Sequence, residues 1–127
     1  MLIEYAGGMK LIARHRGLEL VTDQPIQEGG ENTALTPAEA FVAALGSCAG
    51  VYVLHFAKRH AIAVEGMTIE VDYTYAERPR RVGTMEVRVR MPQPVDPQQQ
   101  AALQRAAEQC LVHNTLRHPP RVAIAVS

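Results

Sequence analysis

Two cysteines, Cys48 and Cys110, carry the most distinctive chemistry in this 127-residue chain. A thiolate is a nucleophile and a metal ligand, and a second thiol within reach can capture the first product as a disulfide. Each cysteine falls among apolar residues on a segment of helical period, and free cysteine is often simply buried, so inert packing is the plainer expectation. Their distribution argues the other way. One sits on each of the two predicted helices, on the inward face, and packing those helices together could bring the Cα atoms to the roughly 4.4–6.8 Å that a disulfide needs. Cys48 lies some 18 Å along its helix, beyond the first turn where the dipole favours an anion, so a cation from elsewhere must activate it. Cys110 falls near the predicted C-terminus of the second helix, which disfavours an anion. That asymmetry suggests Cys48 as the attacking thiol and Cys110 as the resolving one.

Histidine offers a second chemistry. His55 follows Cys48 by seven residues and His113 follows Cys110 by three, and two Cys with two His is a zinc donor set. Cys48 and His55 are two turns apart, however, about 10 Å along the axis. No metal and no other cofactor is expected.

The element that must position Cys48 runs from Thr36 to about Ala61. Thr36 is a good N-cap, Pro37 suits the first helical position, and Glu39 closes a capping box. From Ala40 to Phe56 no residue carries a fixed charge. A helix apolar all round is either buried or in a membrane. Gly46, Ser47, Gly50 and His55 make a poor spanning segment, so a central core helix is expected. Phe41, Leu45 and Tyr52 share the Cys48 face and could line an apolar mouth. Gly46 and Gly50 form a GxxxG face roughly opposite, where dimerisation through this helix is expected, with packing against a sheet of the same chain as the alternative.

Around this helix the chain reads as strands. Residues 2–22 alternate with breaks at Gly7-Gly8 and Arg16-Gly17, predicting two or three short antiparallel strands. Residues 22–35 are a loop. Met67, Ile69, Val71, Tyr73 and Tyr75 alternate with polar residues, as do Met85, Val87, Val89 and Met91, predicting an antiparallel pair with one buried face. Between them, the run Arg78, Pro79, Arg80, Arg81 reads as a solvated hairpin tip; a phosphate patch is the alternative. A second helix opens at Asp96 with another capping box (Pro97 first, Gln99 third) and is expected to run past Cys110 to His113 and Asn114. Val122, Ile124 and Val126 predict a last strand.

Composition excludes several classes. Lys plus Arg equals Asp plus Glu at 13 each, so no net field draws the chain to nucleic acid or anionic lipid. The N-terminus lacks a basic stretch, apolar run and cleavage site, which predicts a cytoplasmic protein. Two cysteines are too few for a disulfide scaffold. The expectation is one domain, residues 1–127, of α+β class.

The order Arg16-Gly17-Leu18-x-Leu20-x-x-Asp23-x-Pro25, then GGENTALTPAEAFVAALGSC ending at Cys48, then CLVHNTL opening at Cys110, resembles the OsmC/Ohr family of thiol-dependent peroxidases over nearly the whole chain. The resemblance implies antiparallel sheets wrapped around central helices in an intertwined homodimer. It also implies Cys48 as peroxidatic and Cys110 as resolving cysteine, a small organic hydroperoxide as substrate, and an external dithiol reductant. At the positions of that family's hydroperoxide-resistance arginine and glutamate, this chain has Met9 and Ala38. Lys10, Arg14 or Arg16 would have to supply the cation, with Arg16 the candidate beside Gly17. A generic OsmC-like branch is therefore expected. The rival from another class is a non-catalytic binding or stress scaffold with packing cysteines.

Overall fold

The long helix begins as its sequence dictates. Thr36 Oγ1 accepts the Glu39 amide at 3.2 Å, and Glu39 Oε2 accepts the Thr36 amide at 2.8 Å, satisfying two donors that a helix start otherwise leaves unpaired. The computed structural model describes all 127 residues, and in it this helix, α1, spans Pro37–Arg59. It is long and apolar enough to cross a membrane by length and composition, with a mean hydropathy of 1.7 in its most apolar window. Its Leu45, Ala49, Val53 and Ala57 recur every four residues and are all buried. It is a core helix.

Two compact units, Met1–Ala43 and Ala44–Ser127, make up the chain. In the first, β1 (Leu2–Tyr5), β2 (Leu11–His15) and β3 (Leu18–Thr22) form an antiparallel sheet in that order. Arg16 and Gly17, both with positive φ, make the β2–β3 turn. The loop after β3 contains one 3-10 turn, Ile26–Glu28, and is ordered by a buried carboxylate. Asp23, 1% exposed, accepts the Gln24 amide on Oδ1 at 2.8 Å. Its Oδ2 accepts the Thr33 hydroxyl at 2.7 Å and the Thr33 and Glu31 amides at 3.1 and 3.2 Å. Folding back so tightly leaves no room at Gly30, where a Cβ would lie 1.9 Å from the Gln24 carbonyl oxygen.

The second unit holds the hairpin of β4 (Thr68–Ala76) and β5 (Arg81–Arg90) with α2 (Pro97–Glu108) and α3 (Leu111–Arg117). Ile69, Val71, Tyr73, Val82, Met85, Val87 and Val89 all turn to the covered face, and the charged residues between them face water, where Arg88–Asp72 and Arg90–Glu70 pair across the strands. The alternation holds up to a register shift between Thr74 and Tyr75, past which Tyr75 is exposed, not buried with the other inward residues as its spacing predicts. At the hairpin tip Arg80 pairs with Glu77 at 2.7 Å and lies over the Tyr75 ring, while Arg81 donates to the Glu77 and Pro79 carbonyls. The arginine run is a solvated tip.

Three expectations are corrected. The GxxxG face does not wait for a second helix: a Cβ on Gly46 would lie 2.7 Å from Val71, and one on Gly50 2.3 Å from Ile69. The glycines admit β4 of the same chain. The second helix ends at Glu108, and a separate α3 begins at Leu111. The last strand does not form, for residues 121–127 have no regular structure and Ile124 is 89% exposed. A strand exists only where its amides and carbonyls find a partner edge.

Candidate thiol site

The second unit has two adjoining apolar clusters. One centres on Val53, Ala57 and Leu103, the other on Leu45, Ala49 and Cys110, with Cys48, Tyr52, Met85 and Val87 packed against it. Cys48 projects from α1 and is half-buried, whereas Cys110 is fully buried; both are free thiols. Cys48 packs against the cluster that contains Cys110, so the structure makes the two thiols neighbours.

It does so by a different local route. Cys110 does not continue the apolar stripe of α2. It takes an extended conformation between two helices and is the N-cap of α3, its Sγ accepting the His113 amide at 3.2 Å. The break is stabilised from the α3 side. The His113 ring donates from Nδ1 to the Glu108 carbonyl at 2.6 Å, and Asn114 donates from Nδ2 to the Gln109 carbonyl at 3.2 Å. These side chains take up carbonyls that an interrupted helix would otherwise leave unpaired. Leu111, which the continuous stripe would bury, is 65% exposed. His113 and Asn114 were the available signal: both are polar residues able to bond backbone where an unbroken stripe would have to continue.

Electrostatics at Cys110 are therefore those of a buried N-cap. Burial pushes the thiol up, and the neighbouring Cys48 adds to the rise, while the His113 and Val112 amides pull against it without cancelling it. Cys110 holds its proton. The expectation that a helix C-terminus disfavours an anion at Cys110 is corrected: Cys110 is the N-cap of α3, and burial is what raises it.

Other candidates separate. Tyr52 is half-buried beside Cys48 in the same cluster. Phe41 belongs to the first unit and is 41% exposed. Among the three proposed cations, Lys10 is paired with Glu31 at 2.7 Å, and Arg14 with Glu4 and Glu19. Arg16, at the exposed β2–β3 turn, has no carboxylate partner. His55 is exposed on α1, apart from the His113 ring bonded at the end of α2, and no group of three or more His, Cys, Asp or Glu side chains is arranged to hold a metal ion.

The fold that carries these thiols is matched elsewhere. The profile of the OsmC-like protein family covers residues 30–125. The chain belongs to the OsmC-like family. Among solved structures, a Psychrobacter arcticus protein named for an osmotic stress induced and detoxification response is 27% identical, with a TM-score of 0.84 over 90% of this chain and 85% of that one. An organic hydroperoxide resistance protein of Legionella pneumophila shares the fold at 21% identity and a TM-score of 0.68, covering 91% and 88%. An OsmC-like protein of Mycoplasma pneumoniae does so at 15% and 0.72, covering 87% and 80%. No curated protein matches the chain. The OsmC-like fold is mixed α and β, with antiparallel sheets, as the resemblance implied.

Proposed function

We propose that this OsmC-like protein reduces small organic hydroperoxides through Cys48 and Cys110. The observation that carries the reading is the packing of a half-buried thiol against the cluster that holds a fully buried one. The Cys48 thiolate attacks the peroxide oxygen distal to carbon; the O–O bond breaks, and the alkoxide leaves and takes up a proton as an alcohol. Cys48 is left as a sulfenic acid, oxidised by two electrons. Cys110 then attacks that sulfur, the S–S bond forms, and water leaves with the proton of Cys110. An external dithiol returns two electrons and restores both thiols. Arg16 is the cation proposed to favour the Cys48 thiolate, because Lys10 and Arg14 already serve carboxylates. Phe41 and Tyr52 are proposed to line the approach of the substrate.

The names of the Legionella and Psychrobacter relatives, hydroperoxide resistance and detoxification, favour a role in oxidative-stress defence. Neighbouring free thiols suit the reducing cytoplasm. A homodimer is proposed because the first unit's sheet leaves Leu2, Ile3, Tyr5, Leu18 and Leu20 exposed, and clustered apolar exposure of this kind marks a surface that another chain covers.

Intact-mass analysis after one equivalent of cumene hydroperoxide tests the chemistry. Loss of two hydrogens in the wild type, and gain of one oxygen in Cys110→Ser, are expected. Both thiols untouched would leave the cysteines as packing and the protein as a binding scaffold.

A further inference from the structure

A cavity of about 680 Å³ lies in the second unit between β5, α1 and α2. Its volume falls within the range of small-molecule sites, roughly 300–1,000 Å³. The floor is hydrocarbon and thioether: Leu45, Val53, Met85, Val87, Val89 and Met91. Neither cysteine lines it, nor do Tyr52 and Phe41, although Leu45, Ala49, Met85 and Val87 belong to the cluster that also holds the thiols. Apart from Gln93, the polar groups form one row. Gln100, Gln104 and Glu108 follow one another at four-residue intervals on α2, and His113 completes the row. Gln104 donates to Glu108 at 3.0 Å, and His113 Nδ1 is engaged with the Glu108 carbonyl, which leaves Nε2 as the other polar atom of the ring.

The charge on this rim is specific. No lysine or arginine lines the cavity, and Glu108 is its single charged residue. A ligand with an anionic head would meet a carboxylate with no cation to offset it, whereas a hydroxyl or amide head would find Gln, Glu and His partners. Two methionines on the floor adapt to the shape of a flexible chain.

We propose that this groove binds an uncharged amphiphile, an alkyl chain lying on the Val–Met floor with a hydrogen-bonding head at the Gln104–Glu108–His113 rim. This does not depend on the thiol chemistry, because neither cysteine lines the groove. The whole chain, labelled with 13C at the methionine methyls, would be titrated with 1-decanol below its solubility limit and with decanoate below its micellar concentration. Met85 and Met91 line the groove, while Met1 and Met9 belong to the other unit and serve as references. Saturable shifts of Met85 and Met91 by decanol are expected, with decanoate binding about tenfold more weakly, as one like-charge pair at a water-like dielectric implies. Glu108→Gln, at an exposed position where folding is not at stake, should remove most of that difference. The proposal is overturned if neither compound gives a saturable shift, if decanoate binds as tightly as decanol, or if Met1 and Met9 respond equally. It is also overturned if Met85 and Met91 shift with protein concentration and not with decanol, since the groove would then be covered by a second copy.

Discussion

Asp23 and Cys110 are both acids sealed from solvent, at 1% and 0% exposure, yet folding moves their protons in opposite directions. Asp23 sits in the first unit among four donors. The Thr33 hydroxyl contributes most, and the Thr33, Gln24 and Glu31 amides follow; together they hold the carboxylate down to about 2 against the cost of burial. Cys110 sits in the second unit among Leu45, Ala49, Met85 and Val87, where burial pushes the thiol up and two amides do not offset it. The sign of a buried group's shift is set by how many donors aim at the charged form and not by burial itself. The first unit uses its buried acid as an anion that folds a loop, and the second uses its own as a protonated side chain in an apolar core.

The largest effect should come from removing the anion. Asp23→Ala leaves the Gln24, Glu31 and Thr33 donors without their acceptor in a loop that has no apolar core of its own, and thermal unfolding should show a loss larger than any other single change described here. The equivalent lesion in the second unit is steric. Gly50→Ala and Gly46→Ala place a Cβ inside contact distance of Ile69 and Val71, and each should cost about 1–3 kcal/mol in denaturant unfolding, as over-packing does.

The pH limits of stability should then separate the two acids. Asp23 is depressed, so the stability it contributes is full above its unfolded value near 3.8 and is lost as pH falls toward about 2. Cys110 is raised, so its contribution is full below the unfolded value of 9.0 and is lost as pH climbs through the higher folded value. Asp23→Asn should flatten the acid limb only, and Cys110→Ala the alkaline limb only, in urea midpoints measured across pH. If both variants changed the same limb, the contrast would fail. The smallest change is Thr33→Val. It deletes the leading donor while keeping the amides, and should return the Asp23 carboxyl part of the way toward its ordinary value, read by carboxyl 13C titration.

Much of the fold was legible because its signals are local. Thr36, Pro37 and Glu39 start α1, and Asp96 with Gln99 starts α2, through side-chain bonds that reach only three residues. The alternation in β4 and β5 names its own buried face. Cys48 and Cys110 could be singled out as a pair from their rarity and their inward positions. The route to Cys110 could not. An apolar stripe through Leu103, Ala107, Cys110 and Leu111 fits one helix as well as it fits a helix, a break and a second helix, because periodicity does not register a single extended residue. Asp23 was legible only as a turn former.

By itself, then, the sequence determined where helices and strands begin, which strand faces are apolar, and which two thiols could meet, since each depends on neighbours a few residues away or on residue type. Tertiary structure alone decided that Gly46 and Gly50 admit β4, that Asp23 gathers donors from up to ten residues ahead, that Cys110 caps α3, and that Val122, Ile124 and Val126 remain unpaired. Each of these turns on whether a distant atom arrives to fill a space or accept a hydrogen bond, and a local pattern carries no record of that arrival.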